Sequence, residues 1–253
     1  MSIPEALLRR DRAIVAAGLL GLAALAWVGV VRMAGGPGQV AMAMPGMSRE
    51  GPGLAWLVAM WAVMMVAMMV PSAAPTILLF ATVSRRRLAQ GLPAVPVAVF
   101  TAGYLLVWTA YAAAAGSAQW VLHRAALLSP AMAAASPLLG GGLLVAAGIY
   151  QWLPLKGACL AHCRSPLGFF ATGWREGTWG ALAMGMRHGS YCVGCCWLLM
   201  ALLFVAGVMN LLWVAAIAGF VLIEKLVAGG EGLGRAAGVA LVGWGVWVIV
   251  AGP

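Results

Sequence analysis

Residues 54–87 read LAWLVAMWAVMMVAMMVPSAAPTILLFATVSRRR. From Leu54 to Val83 the run holds no Asp, Glu, Lys or Arg, and Arg85, Arg86 and Arg87 then end it. About 20 consecutive apolar residues suffice for a helix to cross the hydrocarbon core of a bilayer, and a basic cluster at one end marks the side that stays in the cytoplasm. This stretch therefore reads as a membrane span, and it sets the class of the whole chain.

Composition extends that reading outward. Of 253 residues, 64% are hydrophobic and 8% charged, with a mean hydropathy of +1.00. A soluble domain carries about a quarter charged residues. Further apolar runs cover Ala13 to Val31, roughly Val95 to Leu122, Leu138 to Leu155, Tyr191 to Val208, Leu211 to Val227 and Ala236 to Ala251, and a Gly-rich helical stretch starting near Thr178 precedes the Tyr191 run. The expected fold is all-α, a polytopic transmembrane helix bundle of six or seven spans, the last run being short for a span. Nothing between the runs is long enough for a separate soluble unit, so residues 1–253 form a single integral membrane domain. The first run follows Arg9, Arg10 and Arg12 but exceeds the usual length of a signal-peptide core and lacks an immediate small-residue cleavage site, so it is expected to be retained.

The formal charge of +9 invites comparison with nucleic-acid binders. The basic residues sit at the ends of apolar runs, however, with no basic groove or aromatic stacking pattern, so nucleic acid is excluded as a partner. With the N-terminus cytoplasmic, the inner side receives Arg9, Arg10, Arg12, Arg85, Arg86, Arg87, Lys156, Arg164, Arg175, Arg187, Lys225 and Arg235. The outer side receives Arg32, Arg49 and Arg124. Twelve against three satisfies the positive-inside rule. The expected location is a bacterial inner membrane, with the lipid bilayer as the first partner.

Chemistry concentrates in one place. The five cysteines are Cys159, Cys163, Cys192, Cys195 and Cys196, and two of the three histidines, His162 and His188, lie among them. On a helix His188, Cys192, Cys195 and Cys196 stand at i, i+4, i+7 and i+8 and share an arc of roughly 100°. Cys159, His162 and Cys163 make a second i, i+3, i+4 set in the preceding connection. Cysteine also packs well as a small buried residue, but so many soft ligands within a short segment point to a metal. Lys156, Arg164 and Arg187 are the cations nearest to these thiols in sequence. An odd cysteine count on the cytoplasmic side argues against a disulfide framework.

The second run adds thioethers. Met60, Met64 and Met68 form an i, i+4, i+8 row with Met65 and Met69 beside it, and Met42, Met44 and Met47 occupy the connection before it. Thioethers bind Cu(I) without adding charge, although methionine is also a common gap filler. Pro71 and Pro75 are expected to break or kink this helix. Glu224, inside the sixth run, calls for a partner or a proton role, with helix-end snorkelling as the competing reading.

The pattern Tyr150-Gln151-x2-Pro154-Leu155-Lys156-x2-Cys159-Leu160-x2-Cys163-Arg164-x-Pro166, followed by Gly185-x2-His188-Gly189-x2-Cys192-x-Gly194-Cys195-Cys196-Trp197, resembles a family of bacterial integral membrane proteins described as predicted metal-binding, whose function is not established. The run Met64-Met65-x2-Met68-Met69-x-Pro71-Ser72-x2-Pro75 is similar to that family's other signature. The likeness covers about residues 54–228. It implies a polytopic inner-membrane protein with a metal site, and it supplies no substrate.

Together these readings favour a metal-binding membrane protein that handles Cu(I) by transport or delivery, with zinc as the second choice. The expected ligands are Cys159, His162, Cys163, His188, Cys192, Cys195, Cys196, Met60, Met64 and Met68. A metallochaperone or metalloenzyme is the expected protein partner. The competing classes are a membrane thiol oxidoreductase and an accessory or assembly subunit with a structural metal. No Walker motif or Ser/His/Asp arrangement is present, and six acidic residues leave little for acid–base catalysis, so binding is expected rather than an enzyme.

Overall fold

The computed structural model describes residues 5–35, 53–93, 95–129, 132–227 and 229–252, with side chains described from residue 10 onward. The described chain is all-helical. Its elements are α1 (Glu5–Ala34), α2 (Leu54–Ala89), α3 (Val97–Arg124), α4 (Pro137–Tyr150), α5 (Pro154–Arg164), α6 (Pro166–Gly173), α7 (Gly177–Ala201), α8 (Leu203–Ala206), α9 (Leu211–Leu226) and α10 (Gly230–Ala251). By length and composition, α1, α2, α3, the α7–α8 stretch and α10 are long and apolar enough to cross a membrane. The bent pair α4 and α5 makes a sixth candidate if taken as one broken span.

Several expected boundaries shift, each for a local reason. The run from Leu138 to Leu155 does not form one straight span. Pro154 cannot donate a backbone hydrogen bond and holds Leu153 extended, at φ −70° and ψ 138°. The chain therefore turns by 65° between α4 and α5. The connection carrying Cys159, His162 and Cys163 is itself a helix, α5, started by that proline. The glycine-rich helical stretch expected from near Thr178 and the cysteine-bearing run are one continuous 25-residue helix from Gly177, so the thiols lie in its second half and not at its mouth. The last helix has 22 residues, longer than its apolar run, because Gly230 to Arg235 join it. The shorter element is α9, with 16 residues, started by an Asn210 side chain that accepts from the Trp213 amide at 3.2 Å.

Pro71 and Pro75 do not break α2, which runs unbroken from Leu54 to Ala89. Beside the prolines, the Met69 carbonyl accepts from the Ser72 hydroxyl at 3.0 Å and from the Tyr104 hydroxyl at 3.2 Å. Neither donor replaces a proline amide, since Pro71 and Pro75 leave the carbonyls of Ala67 and Pro71 without their in-helix partner; the Tyr104 contact instead ties this turn to α3.

Close helix contacts are made at glycine. A Cβ on Gly185 would overlap the Phe100 carbonyl, and one on Gly103 would overlap the Leu182 carbonyl. On Gly189 it would meet Val107 Cβ at 3.0 Å and the Tyr104 carbonyl at 3.1 Å. Without those Cβ atoms α3 and α7 pack backbone to backbone, the way small residues permit between apolar helices. Reciprocal pairs do the same for α4 and α10, where a Cβ on Gly148 would come within 2.7 Å of the Gly238 carbonyl and one on Gly245 within 2.7 Å of the Gly141 carbonyl. Ion pairs tie three helix ends together: Arg85 to Asp11 at 2.7 Å, and Arg87 to Glu176. The start of α1, the end of α2 and the start of α7 thus share one end of the bundle. The α3–α7 contact positions the site, because it holds the thiol face of α7 against Tyr104.

Candidate metal centre

Four cysteines on two helices and a methionine on a third gather behind that contact. On α7, Cys192, Cys195 and Cys196 are each no more than 1% exposed. The thiols of Cys195 and Cys196 donate back to the Cys192 carbonyl, at 3.1 and 3.0 Å. From α5, Cys163 packs against the core cluster that contains these three cysteines. Met69 of α2 closes another side, with its sulfur 3.9 Å from that of Cys196.

Cys192 is the hub. Its sulfur is 3.1 Å from the Tyr104 hydroxyl and 2.9 Å from the ammonium of Lys225, near the end of α9. Lys225 also donates to Ser72 Oγ at 3.1 Å. An ammonium at that distance is an ion-pair partner for a thiolate, in surroundings where water screens little. The residue before it, Glu224, pairs with Lys156, and Lys156 also donates to Gln151. Gly234 lies directly under Glu224, where a Cβ would collide with Oε1. Two buried polar nodes therefore sit side by side at the end of α9, one of sulfur and one of oxygen.

The other expected ligands are placed differently. Cys159 is half-buried at the margin, where its sulfur would be 2.6 Å from a Cβ on Gly194; the glycine makes that seat. Tyr150 donates to the Gly194 carbonyl beside it. His162 faces away: its Nδ1 is 2.8 Å from the Ala158 carbonyl, and its ring stacks on Tyr191 with centroids 4.2 Å apart. His188 is buried, stacked on Tyr104 at 5.7 Å and flanked by Phe100 and Phe169, and its Nδ1 has no hydrogen-bond partner among the described residues. Met60, Met64 and Met68 are buried in the core of the bundle, and the thioether that reaches a cysteine is the neighbouring Met69. Met42, Met44 and Met47 lie outside the described residues.

The cations nearest the thiols in sequence are engaged elsewhere. Lys156 is held by Glu224, Arg164 donates to the Val227 carbonyl at 2.8 Å, and Arg187 donates to the Tyr191 hydroxyl at 3.3 Å. Lys225, Ser72 and Tyr104 were not read from the sequence as site residues. The doublet Glu224-Lys225 inside an apolar run was the available signal, because two adjacent ionised groups there need two separate partners.

Among the described residues, no three His, Cys, Asp or Glu side chains stand ready spaced for a metal ion. The reason is local: two thiols are turned to a backbone carbonyl, and the third sulfur is taken by an ammonium and a phenol. The donor set itself is soft and suits a thiophilic ion.

A family model described as a copper chaperone, PpoB2, matches residues 58–248. The chain belongs to this copper chaperone family. No curated protein and no solved structure matches it. The stretch shared with the copper chaperone family starts within α2, ends within α10 and contains every residue of the sulfur node. The resemblance to a metal-binding family thus resolves to one connected with copper, in agreement with the sulfur-rich reading of the residues.

Proposed function

We propose that this chain is a membrane-embedded copper chaperone that holds Cu(I) between Cys192 of α7 and Cys163 of α5 and delivers it to a copper-dependent partner. The observation that carries this reading is the packing of Cys163, from α5, against the core that holds the cysteine trio of α7. Two thiolates suit Cu(I), and Cys195, Cys196 and Met69 surround them with further sulfur. Cys159, half-buried at the margin of α5, is the first sulfur an ion meets on its way in or out. Delivery is favoured over transport through the bundle because Met60, Met64 and Met68 are packed into its core. The bundle lies in a bacterial inner membrane with its N-terminus cytoplasmic, so α5 and the cysteines open to the reducing side.

The test is elemental analysis of the purified chain after anaerobic loading with Cu(I), beside a variant with all five cysteines replaced by serine. The expected result is copper in the native chain and none above background in the variant. Equal copper in both overturns the assignment. Cysteines that exchange disulfides while their labelling ignores Cu(I) would instead favour a thiol oxidoreductase.

A further inference from the structure

Lys225 is 6% exposed, and its ammonium has no carboxylate partner among the described residues. The neighbouring carboxylate, Glu224, is already matched by Lys156. Lys225 instead donates to Ser72 Oγ and to the sulfur of Cys192. A buried cation without a counter-anion is costly, so the pocket is built to contain one net positive charge against sulfur.

We infer that Lys225 is a specificity-determining residue that makes the sulfur node select a monovalent over a divalent ion. The inference rests on the copper reading above. Cu(I) on the thiolates of Cys192 and Cys163 carries one net negative charge, and Lys225 brings the pocket to neutrality. A divalent ion such as Zn(II) on the same two thiolates is already neutral, so the ammonium beside it leaves one net positive charge in a buried site. Recruiting further thiolates is opposed by geometry. Cys195 and Cys196 spend their protons on the Cys192 carbonyl, and an anionic sulfur there would face that oxygen at about the same 3.0–3.1 Å. Ser72 holds the ammonium in place from α2 without adding charge.

The experiment is a competition between Cu(I) and Zn(II) for the purified full chain under anaerobic, reducing conditions, with bound metal counted by elemental analysis. Three proteins are compared: the native chain, Lys225→Met and Ser72→Asp. Lys225→Met deletes the charge. Ser72→Asp keeps the lysine but gives it a carboxylate within reach, so a folded protein is obtained even where an unpaired thiolate disfavours Lys225→Met. Each variant is expected to raise the Zn(II)-to-Cu(I) ratio on the order of a hundredfold, the scale of one uncompensated buried charge. A ratio in folded Ser72→Asp equal to that of the native chain overturns the inference. The all-serine variant separates the two failures. If it loses copper while the ratio is unmoved, only the role of Lys225 falls; if it keeps copper, the site assignment falls first.

Discussion

Tyr104 shows what single residues contribute here. Its hydroxyl touches both the sulfur of Cys192 and the carbonyl of Met69, so one phenol links α3, α7 and the proline-containing turn of α2. The phenol has one proton, which serves the Cys192 thiolate when the Met69 carbonyl is left to Ser72, and a hydrogen bond to a charged acceptor is worth about 1.5–3 kcal/mol. Tyr104→Phe is expected to keep the fold and weaken Cu(I) binding by about tenfold or more, measured by competition with a chromophoric Cu(I) chelator. Unchanged affinity would show that the phenol does not stay on the sulfur when the ion binds. The residue scale is also where sequence reading met its limit. The spacing of His188, Cys192, Cys195 and Cys196 was legible because the helical period is fixed. The direction of Lys225 was not, since the same residue at a helix end snorkels to water or turns inward, depending on what lies opposite. His162 illustrates the reverse: its spacing from Cys159 and Cys163 suits a ligand, yet stacking on Tyr191 turns it aside.

At the scale of elements, the glycines of α3 and α7 decide whether the node forms. Gly185 sits against the Phe100 carbonyl with no room for a methyl group. Gly185→Ala must push the two helices apart and is expected to cost about 1–3 kcal/mol, the usual range for overpacking. The checks are a lower midpoint of thermal unfolding and faster alkylation of the buried thiols. An unmoved midpoint with unmoved alkylation would mean that the helices do not meet as closely as described. Most elements were legible as apolar runs, because burial in lipid or in a bundle demands the same composition. Their ends were less so. The start of α7 near Thr178 was legible, but its continuity into the cysteine-bearing run was not, because Arg187 and His188 interrupt the apolar pattern; α5 is hidden because its 11 residues are weakly apolar overall and follow Pro154. At Pro71 and Pro75 the break does not occur, and α2 stays helical through both prolines.

At the scale of the molecule, the fold brings chemistry from separate segments to one depth of the bundle. Cys163 comes from α5, the cysteine trio from α7, Met69 from α2, Tyr104 from α3 and Lys225 from α9. A stretch that contains all of these residues also matches the copper chaperone family. The central claim is that α5 and α7 hold one ion jointly. X-ray absorption at the copper edge tests it most directly, on the Cu(I)-loaded native chain beside Cys163→Ser and Cys159→Ser. The account predicts a shell of sulfur in the native chain, preserved in Cys159→Ser, and loss of sulfur neighbours or of copper itself in Cys163→Ser. A spectrum of Cys163→Ser identical to that of the native chain, at equal copper content, would contradict it.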